Sequence, residues 1–239
     1  MSRPALSSAD WSHKPIGHRG YQEPPYLAGV LLLSDPRVAA VPAIDCGEPL
    51  VDLRDQSRLL VDRRKKDQSG AWARVREGIE QRLLAAQDAL PDGVRLLIVE
   101  GHRPAALQQH YFDSHRADVQ RAHPAWSAKQ LDRETSKHIS PPAVAPHPCG
   151  AAVDLTLWAD GAELDLGTAM NATPEESNDA CFTAAQNISA QARSWRDVLG
   201  AALTIAGMVN YPPEWWHWSY GDAYWAAVTA APHALYRPL

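Results

Sequence analysis

The sequence predicts an α+β fold in which helices pack on a small, central and mostly antiparallel sheet. The first observation is an apolar stripe at three- and four-residue steps over residues 71–90, which is typical of an amphipathic helix. The second is a set of short β-like runs at residues 94–99, 152–158 and 215–220. No internal repeat and no long linker divides these elements, so one layered arrangement is the natural interpretation.

The composition is that of an ordinary globular protein and excludes some classes of function. The chain has 239 residues, 45% of them hydrophobic, and a net charge of −5, which does not favour nucleic acid as a partner. Three sparse cysteines, Cys46, Cys149 and Cys181, do not suit a disulfide framework and indicate a reducing compartment. The apolar run at residues 27–33 is too short to span a membrane. We therefore expect a soluble, cytoplasmic protein.

Residues 1–48 are rich in Pro, Ser, Gly and His, and they predict an irregular arm with one short helix near residues 27–33. Residues 49–239 then form a single predicted domain. Its first strand candidate is the run at residues 50–53.

The predicted long helix at residues 71–90 is ended by Pro-Asp-Gly, and the strand at residues 94–99 follows directly. Pro104 suits the first turn of a helix that reaches about Arg116, and Ser127 is a cap for another that reaches about His138.

The second half of the domain begins with a rigid loop, because residues 140–150 contain four prolines. A strand at residues 152–158 then turns at Asp160-Gly161 into a second strand near residues 163–166. Residues 188–208 form a second long helix, which Asn210 and a Pro-Pro pair end. The aromatic run at residues 215–220 is a strand, and residues 224–228 are either strand or helix.

Two imidazoles and two carboxylates lie in or beside the strands at residues 152–158 and 215–220. Together they are the side chains that a hydrolytic zinc site needs. His147 and Asp154 lie seven positions apart, and His217 is a third ligand candidate. Glu214, three residues before His217, is placed to act as a general base. The alternative is structural, since single histidines are more often core or surface residues than ligands.

Arg103 follows a predicted strand and precedes Pro104. A guanidinium at a strand-to-helix junction can point into a cleft and hold an oxyanion or a carboxylate. An ordinary surface arginine is the alternative.

Three segments together resemble the signatures of the VanX-type D-alanyl-D-alanine dipeptidases, which are zinc enzymes related to DD-carboxypeptidases and to the hedgehog signalling domain. They are Glu-Gly-His-Arg-Pro at residues 100–104, His-Pro-Cys-Gly-Ala-Ala-Val-Asp-Leu-Thr-Leu at residues 147–157, and Glu-Trp-Trp-His-Trp at residues 214–218. Their order and spacing agree with the family, and the resemblance covers residues 50–225.

The resemblance implies an α+β fold, one Zn²⁺ per chain and a small peptide or amide substrate. His147, Asp154 and His217 match the zinc ligands. Glu214 matches the catalytic base, and Arg103 matches the arginine that stabilises the oxyanion. The implied reaction is attack of zinc-bound water on a peptide carbonyl, with Glu214 moving the proton.

The departures from the family pattern predict an altered substrate specificity. Ala145 stands where the family has a serine, and Asn171 stands where it has an aspartate; both family residues help hold the substrate's ammonium group. A charge-assisted hydrogen bond is worth about 1.5–3 kcal/mol, so selection for a free amino terminus should weaken. Cys149, two residues after His147, is a buried thiol, an additional zinc ligand or a residue that lines the substrate pocket.

Two alternatives stay open. One is a DD-carboxypeptidase-like enzyme that acts on a longer or N-blocked peptide, and the other is a zinc-binding relative without turnover. Glu214 and Arg103 argue against the second, because a binding protein needs neither a base nor an oxyanion donor. Assembly into a homo-oligomer is also left open.

Overall fold

The computed structural model describes residues 29–136 and 139–239, and most of the predicted irregular arm lies outside these ranges. The helix predicted near residues 27–33 is wrong for the part that is described, because residues 29–33 form no helix. Helix α1 instead covers Pro36–Ala39, where Asp35 caps its amino end. Residues 33 and 38 of this segment pack with Tyr211 and Tyr224. The boundary between residues 48 and 49 stays a prediction.

The described residues form a central sheet of six strands and a separate pair of strands. The strands are β1 (Leu50–Asp52), β2 (Leu60–Val61), β3 (Arg74–Arg76), β4 (Arg95–Glu100), β5 (Ala152–Ala159), β6 (Ala162–Glu163), β7 (Val209–Asn210) and β8 (His217–Ser219). The central order is β2-β4-β5-β8-β7, with β6 also paired to β5. Only β2 and β4 are parallel among these pairs. The predicted α+β class with a mostly antiparallel sheet is therefore confirmed.

Six further helices surround the sheet in the described part of the chain. They are α2 (Glu77–Asp88), α3 (Ala105–Ala122), α4 (Ala128–Thr135), α5 (Pro174–Ser177), α6 (Ala190–Ile205) and α7 (Ala223–Thr229). Ser127 caps α4 through a capping box, as its sequence predicts, and Ser189 caps α6. Residues 224–228, which were compatible with either state, belong to helix α7.

The core lies between one face of the sheet and the helix pair α2 and α6. On β4 and β5, the register pairs Leu96 with Leu157 and Ile98 with Leu155, so these four side chains share a face. They are fully buried in the same cluster as apolar residues of both helices, such as Leu83. The opposite face carries Thr156 and Asp154, which are also buried.

The helix predicted over residues 71–90 is wrong in its first third. Residues 71–73 form a short 3-10 turn, Arg74–Arg76 form strand β3, and the helix begins only at Glu77. Gly70, at a φ of +74°, turns the chain, and β3 then pairs with β1. Trp72 and Val75 are buried as the stripe predicted, but pairing with a distant strand overrides the helical period.

Arg76, at the end of β3, is a buried arginine that connects several segments of the chain by hydrogen bonds. Its side chain is 3% exposed. Its guanidinium pairs with Asp45 at 2.9 Å and donates to the carbonyls of Cys149 and Glu48 at 2.9 and 2.5 Å. The contact with Cys149 holds the turn that carries His147.

We expect Arg76→Ala to lower the free energy of unfolding by about 3–5 kcal/mol, because it leaves the Asp45 carboxylate and two carbonyls without their buried cation. Chemical denaturation measures this. Arg58→Ala is the control, since the Arg58–Asp88 pair is exposed and its loss should cost about 1 kcal/mol or less. Equal losses in the two variants would contradict the anchoring role.

Within the described ranges, no helix is long and apolar enough to cross a membrane.

Candidate metal centre

Three side chains that the sequence predicts as ligands meet in the interior. His147 lies in the 3-10 turn His147–Cys149, Asp154 lies on β5 and His217 lies on β8. Each is 3–4% exposed. One ligand atom from each residue lies within 4.8 Å of the others, so the three could hold a metal ion.

Strand pairing places Asp154 and His217 side by side. The antiparallel register of β5 and β8 sets these two residues directly opposite one another, although 63 positions separate them in sequence. His147 reaches the same place because Gly150, at a φ of +66°, turns the chain back into β5. Arg76 holds that turn through its backbone N–H, which donates to the carbonyl of Gly150 at 2.8 Å.

Two of the three separations between ligand atoms are close to those around a small tetrahedral cation. His147 Nε2 lies 3.3 Å from Asp154 Oδ1, and His217 Nδ1 lies 2.9 Å from the same oxygen. Ligand atoms of a tetrahedral zinc site with bonds of about 2.0–2.1 Å lie roughly 3.3 Å apart. Two imidazoles and one carboxylate also leave a fourth position for water, as catalytic zinc sites require.

The other nitrogen of His147 has a fixed partner. His147 Nδ1 lies 2.7 Å from the carbonyl oxygen of Gly101, and donation to this carbonyl would leave Nε2, the nitrogen nearer Asp154, as the metal-binding atom. Gly101 itself lies tightly against the chain, since a Cβ there would come within 2.5 Å of the carbonyl oxygen of Arg74. Only glycine therefore brings this carbonyl to the histidine without displacing the neighbouring backbone.

Asp154 is held in its charged form. Burial opposes its ionisation, but the nearby charges of His147 and His217 and the hydrogen bonds with both rings outweigh burial and keep its pKa well below the usual value. The residue is thus an anionic ligand at neutral pH.

Glu214 lies at the edge of the ligand set. Its Oε2 is 4.0 Å from His217 Nδ1, and 32% of its side chain is exposed. Partial burial, together with the charge of Asp154, raises its pKa to about 7. A cation held by the three ligands would lower this pKa again. The position suits a carboxylate that exchanges protons with a group bound at the open side of the centre.

Asn210 is a residue of this region that the sequence analysis did not assign. Its side-chain amide donates to the carbonyls of Glu214 and His217 at 3.1 and 3.0 Å. It thereby fixes the turn that separates the base candidate from the ligand. The sequence feature that could have indicated this role is the position of Asn210 directly before the Tyr-Pro-Pro turn.

Arg103 lies next to the turn that carries His147. Its backbone N–H donates to the carbonyl of His147 at 3.3 Å. Its side chain is 14% exposed and binds Glu100 through two hydrogen bonds of 2.7 and 2.8 Å. A third bond, of 2.8 Å, goes to Gln108 on α3. Glu100 and Gln108 were not predicted as site residues.

The three predicted substrate-binding residues differ in burial. Ala145 is 1% exposed, and Cys149 is 5% exposed with its thiol directed at the Ala145 carbonyl, 3.6 Å away. Burial raises the pKa of Cys149, as in an unreactive thiol. Asn171 is partly exposed at a φ of +63°, in a loop that Thr168 ties to the Trp215 indole by a 2.8 Å hydrogen bond.

A buried His-Asp-His set on an α+β sheet, with a glutamate beside it, is the arrangement of a metal-dependent hydrolase. The chain belongs to the D-Ala-D-Ala dipeptidase family, Peptidase M15, whose family model matches residues 65–234. The family resemblance and the metallopeptidase class are therefore confirmed, and so is the Zn²⁺ cofactor at the level of the family.

The chain is also similar to a curated relative and, more distantly, to two solved structures. The D-alanyl-D-alanine dipeptidase of Synechocystis sp. is 28% identical over 217 residues, which cover 78% of this chain and 87% of the relative. A vancomycin-resistance D,D-pentapeptidase VanY in complex with Zn(II) is 21% identical, with a TM-score of 0.32 and coverage of 68% of this chain and 80% of that one. VanYB in complex with D-alanine-D-alanine is also 21% identical, with a TM-score of 0.34 and coverage of 75% and 86%. Both structural likenesses are distant.

Proposed function

We propose that the protein is a zinc-dependent dipeptidase or amidase that hydrolyses a small D-amino-acid peptide. The observation that carries this proposal is the meeting of His147, Asp154 and His217 within 4.8 Å, beside Glu214. Zn²⁺ held there would acidify a water molecule and polarise the scissile carbonyl. Family membership supports the class of reaction, and the name of the Synechocystis relative supports a D-Ala-D-Ala-like substrate.

Glu214 supplies the proton transfer in this proposal. Its carboxylate accepts a proton from the attacking water and then delivers it to the nitrogen of the departing amine. Its exposed edge lets water and substrate reach it, while its distance of 4.0 Å from His217 Nδ1 keeps it beside the ligands without occupying their place. A carboxylate in this place can hold the proton between the two steps.

Arg103 supplies the charge that stabilises the oxyanion. Its guanidinium is largely buried, and it interacts with the charge of Asp154 as well as with that of Glu100. A buried guanidinium keeps its proton, so it can stabilise the negative oxygen that develops during attack without itself exchanging a proton.

We expect this chain to differ from its relatives in how it recognises the amino-terminal end of the substrate. Ala145 offers no polar side chain, and Asn171 carries no charge, so neither residue can pair with a free ammonium group as a serine and an aspartate would. We therefore expect weak selection for a free amino terminus. An N-blocked dipeptide, a longer peptide or a related amide fits this arrangement.

A panel of zinc-loaded assays tests both parts of this proposal. D-Ala-D-Ala, N-acetyl-D-Ala-D-Ala and a D-Ala-D-Ala-ended tripeptide are compared by kcat/KM for D-alanine release. We expect the acetylated substrate to be cleaved at least as well as the free dipeptide. A preference of about 100-fold or more for the free dipeptide would contradict the altered specificity. Cleavage of the tripeptide alone would favour the carboxypeptidase-like alternative, and cleavage of none would contradict the peptidase proposal.

Asn171→Asp restores the missing charge and should raise kcat/KM for free D-Ala-D-Ala by about 10- to 100-fold, the equivalent of one charge-assisted hydrogen bond. The value for the acetylated substrate should not rise. Asn178→Asp is a matched control, because Asn178 is exposed and also left-handed, at a φ of +51°. An equal rise in both variants would show a nonspecific charge effect.

The cytoplasmic location and a homo-oligomeric state stay predictions from the sequence.

A further inference from the structure

Glu100, the last residue of β4, lies buried between two cations. It is 4% exposed, and its carboxylate binds Arg103 with one oxygen to Nε at 2.7 Å and the other to Nη2 at 2.8 Å. Lys65 Nζ lies 3.6 Å from the second oxygen. Two parallel hydrogen bonds from one carboxylate set the plane of a guanidinium as well as its position.

A β-bulge directs Glu100 to the face of the sheet that carries the metal ligand Asp154. The register pairs Ile98 with Leu155 and then Glu100 with Asp154, so Val99 is an extra residue on β4. Without that extra residue, Glu100 would share the face of Ile98, which packs into the apolar core. Bulges next to active sites commonly redirect a side chain in this way.

A hydrogen bond with Gln108 gives the Arg103 side chain a third point of attachment. Gln108, which is 1% exposed, accepts a hydrogen bond from Nη1 at 2.8 Å and in turn donates to the carbonyl of Ser140 at 2.8 Å. A guanidinium has five N–H groups, and these bonds use three of them. Among the described residues, no hydrogen bond uses the second N–H of Nη1 or the second N–H of Nη2.

We propose that Glu100 is a positioning residue that holds the Arg103 guanidinium in one plane, so that its two remaining N–H groups face the reacting carbonyl. This inference rests on the function proposed above. The bidentate geometry, the burial and the bulge that places Glu100 opposite Asp154 carry it.

A double-mutant cycle between Glu100 and Arg103 tests the inference, with kcat, KM, bound zinc and thermal midpoint measured for each variant. Glu100→Gln keeps the shape of the side chain but removes its charge and one of its two acceptor oxygens. We expect kcat to fall by about 10- to 100-fold, which is less than the loss of an oxyanion donor, with KM within about twofold and zinc unchanged. In an Arg103→Ala background, Glu100→Gln should change kcat by about twofold or less, because its effect acts through the arginine.

Glu163→Gln is the matched control, since Glu163 is also paired with an arginine, Arg64, but lies on the edge strand β6. It should leave kcat unchanged. Wild-type kcat in Glu100→Gln, or the same loss in the Arg103→Ala background, would overturn the positioning role. If Glu100→Gln does not fold, Glu100→Asp replaces it: this variant keeps the charge but withdraws the carboxylate by one methylene, and wild-type kcat there would also overturn the role. A wild-type protein that cleaves no substrate would instead refute the proposed function.

Discussion

Glu214→Gln is expected to lower kcat by about 10³-fold while one zinc per chain stays bound, because an amide cannot take up the proton of the attacking water. The geometry explains why turnover should be lost while zinc binding is kept. Glu214 lies at the open edge of the centre, and the three ligand atoms are supplied by other residues. Initial rates of D-alanine release and elemental analysis of the same preparation measure the two quantities.

Glu77→Gln is the control for this variant, since Glu77 is an exposed carboxylate in the first turn of α2. It should keep the wild-type rate. Loss of zinc from Glu214→Gln would show that Glu214 is a ligand rather than a base. A rate within about tenfold of the wild type would show that the proton passes through another group.

Asp154→Asn is expected to remove both the metal and the activity. Its carboxylate is the only anionic member of the ligand set, and it lies within 3.3 Å of both imidazoles. Asparagine has the same shape, so the sheet should still form. At a zinc concentration about 100 times its dissociation constant, binding stabilises the wild type by about 2.7 kcal/mol, which corresponds to a thermal shift of roughly 5–10 °C.

We expect this zinc-dependent shift in the wild type and not in Asp154→Asn. Asp92→Asn, in the exposed turn before β4, is the control and should show the full shift. If Asp154→Asn retained stoichiometric zinc after gel filtration, the metal would be held elsewhere, and the proposed ligand set would be wrong.

Local sequence patterns predicted most elements because capping and hydrophobic period act over a few residues. Ser127 and the strand at residues 152–158 are examples, and both are observed. The helix predicted over residues 71–90 shows where such short-range patterns fail. Its first six residues, 71–76, have helical spacing, but β3 finds its hydrogen-bond partners on β1, more than 20 positions earlier. Such pairing is decided by the whole fold.

The candidate site shows the same difference between what local sequence patterns predict and what long-range pairing decides. Resemblance to a family singled out His147, Asp154, His217, Glu214 and Arg103, and it could do so because each lies in a recognisable short segment. It assigned no role to Glu100, although Glu100 lies in one of those segments. The role depends on a bulge at Val99, and a one-residue change of register has no local signature.

The sequence alone therefore determined the fold class, in which helices surround a mostly antiparallel sheet. Composition, hydrophobic periodicity and capping residues were sufficient for this. The identities of the ligand candidates were also available from the sequence. Only the tertiary structure decided that Asp154 and His217 face each other across β5 and β8, that Gly101 presents its carbonyl to His147, and that Glu100 grips Arg103. The physical reason is that these contacts join residues distant in sequence or require a particular strand register, and register is chosen by the burial of the entire sheet face.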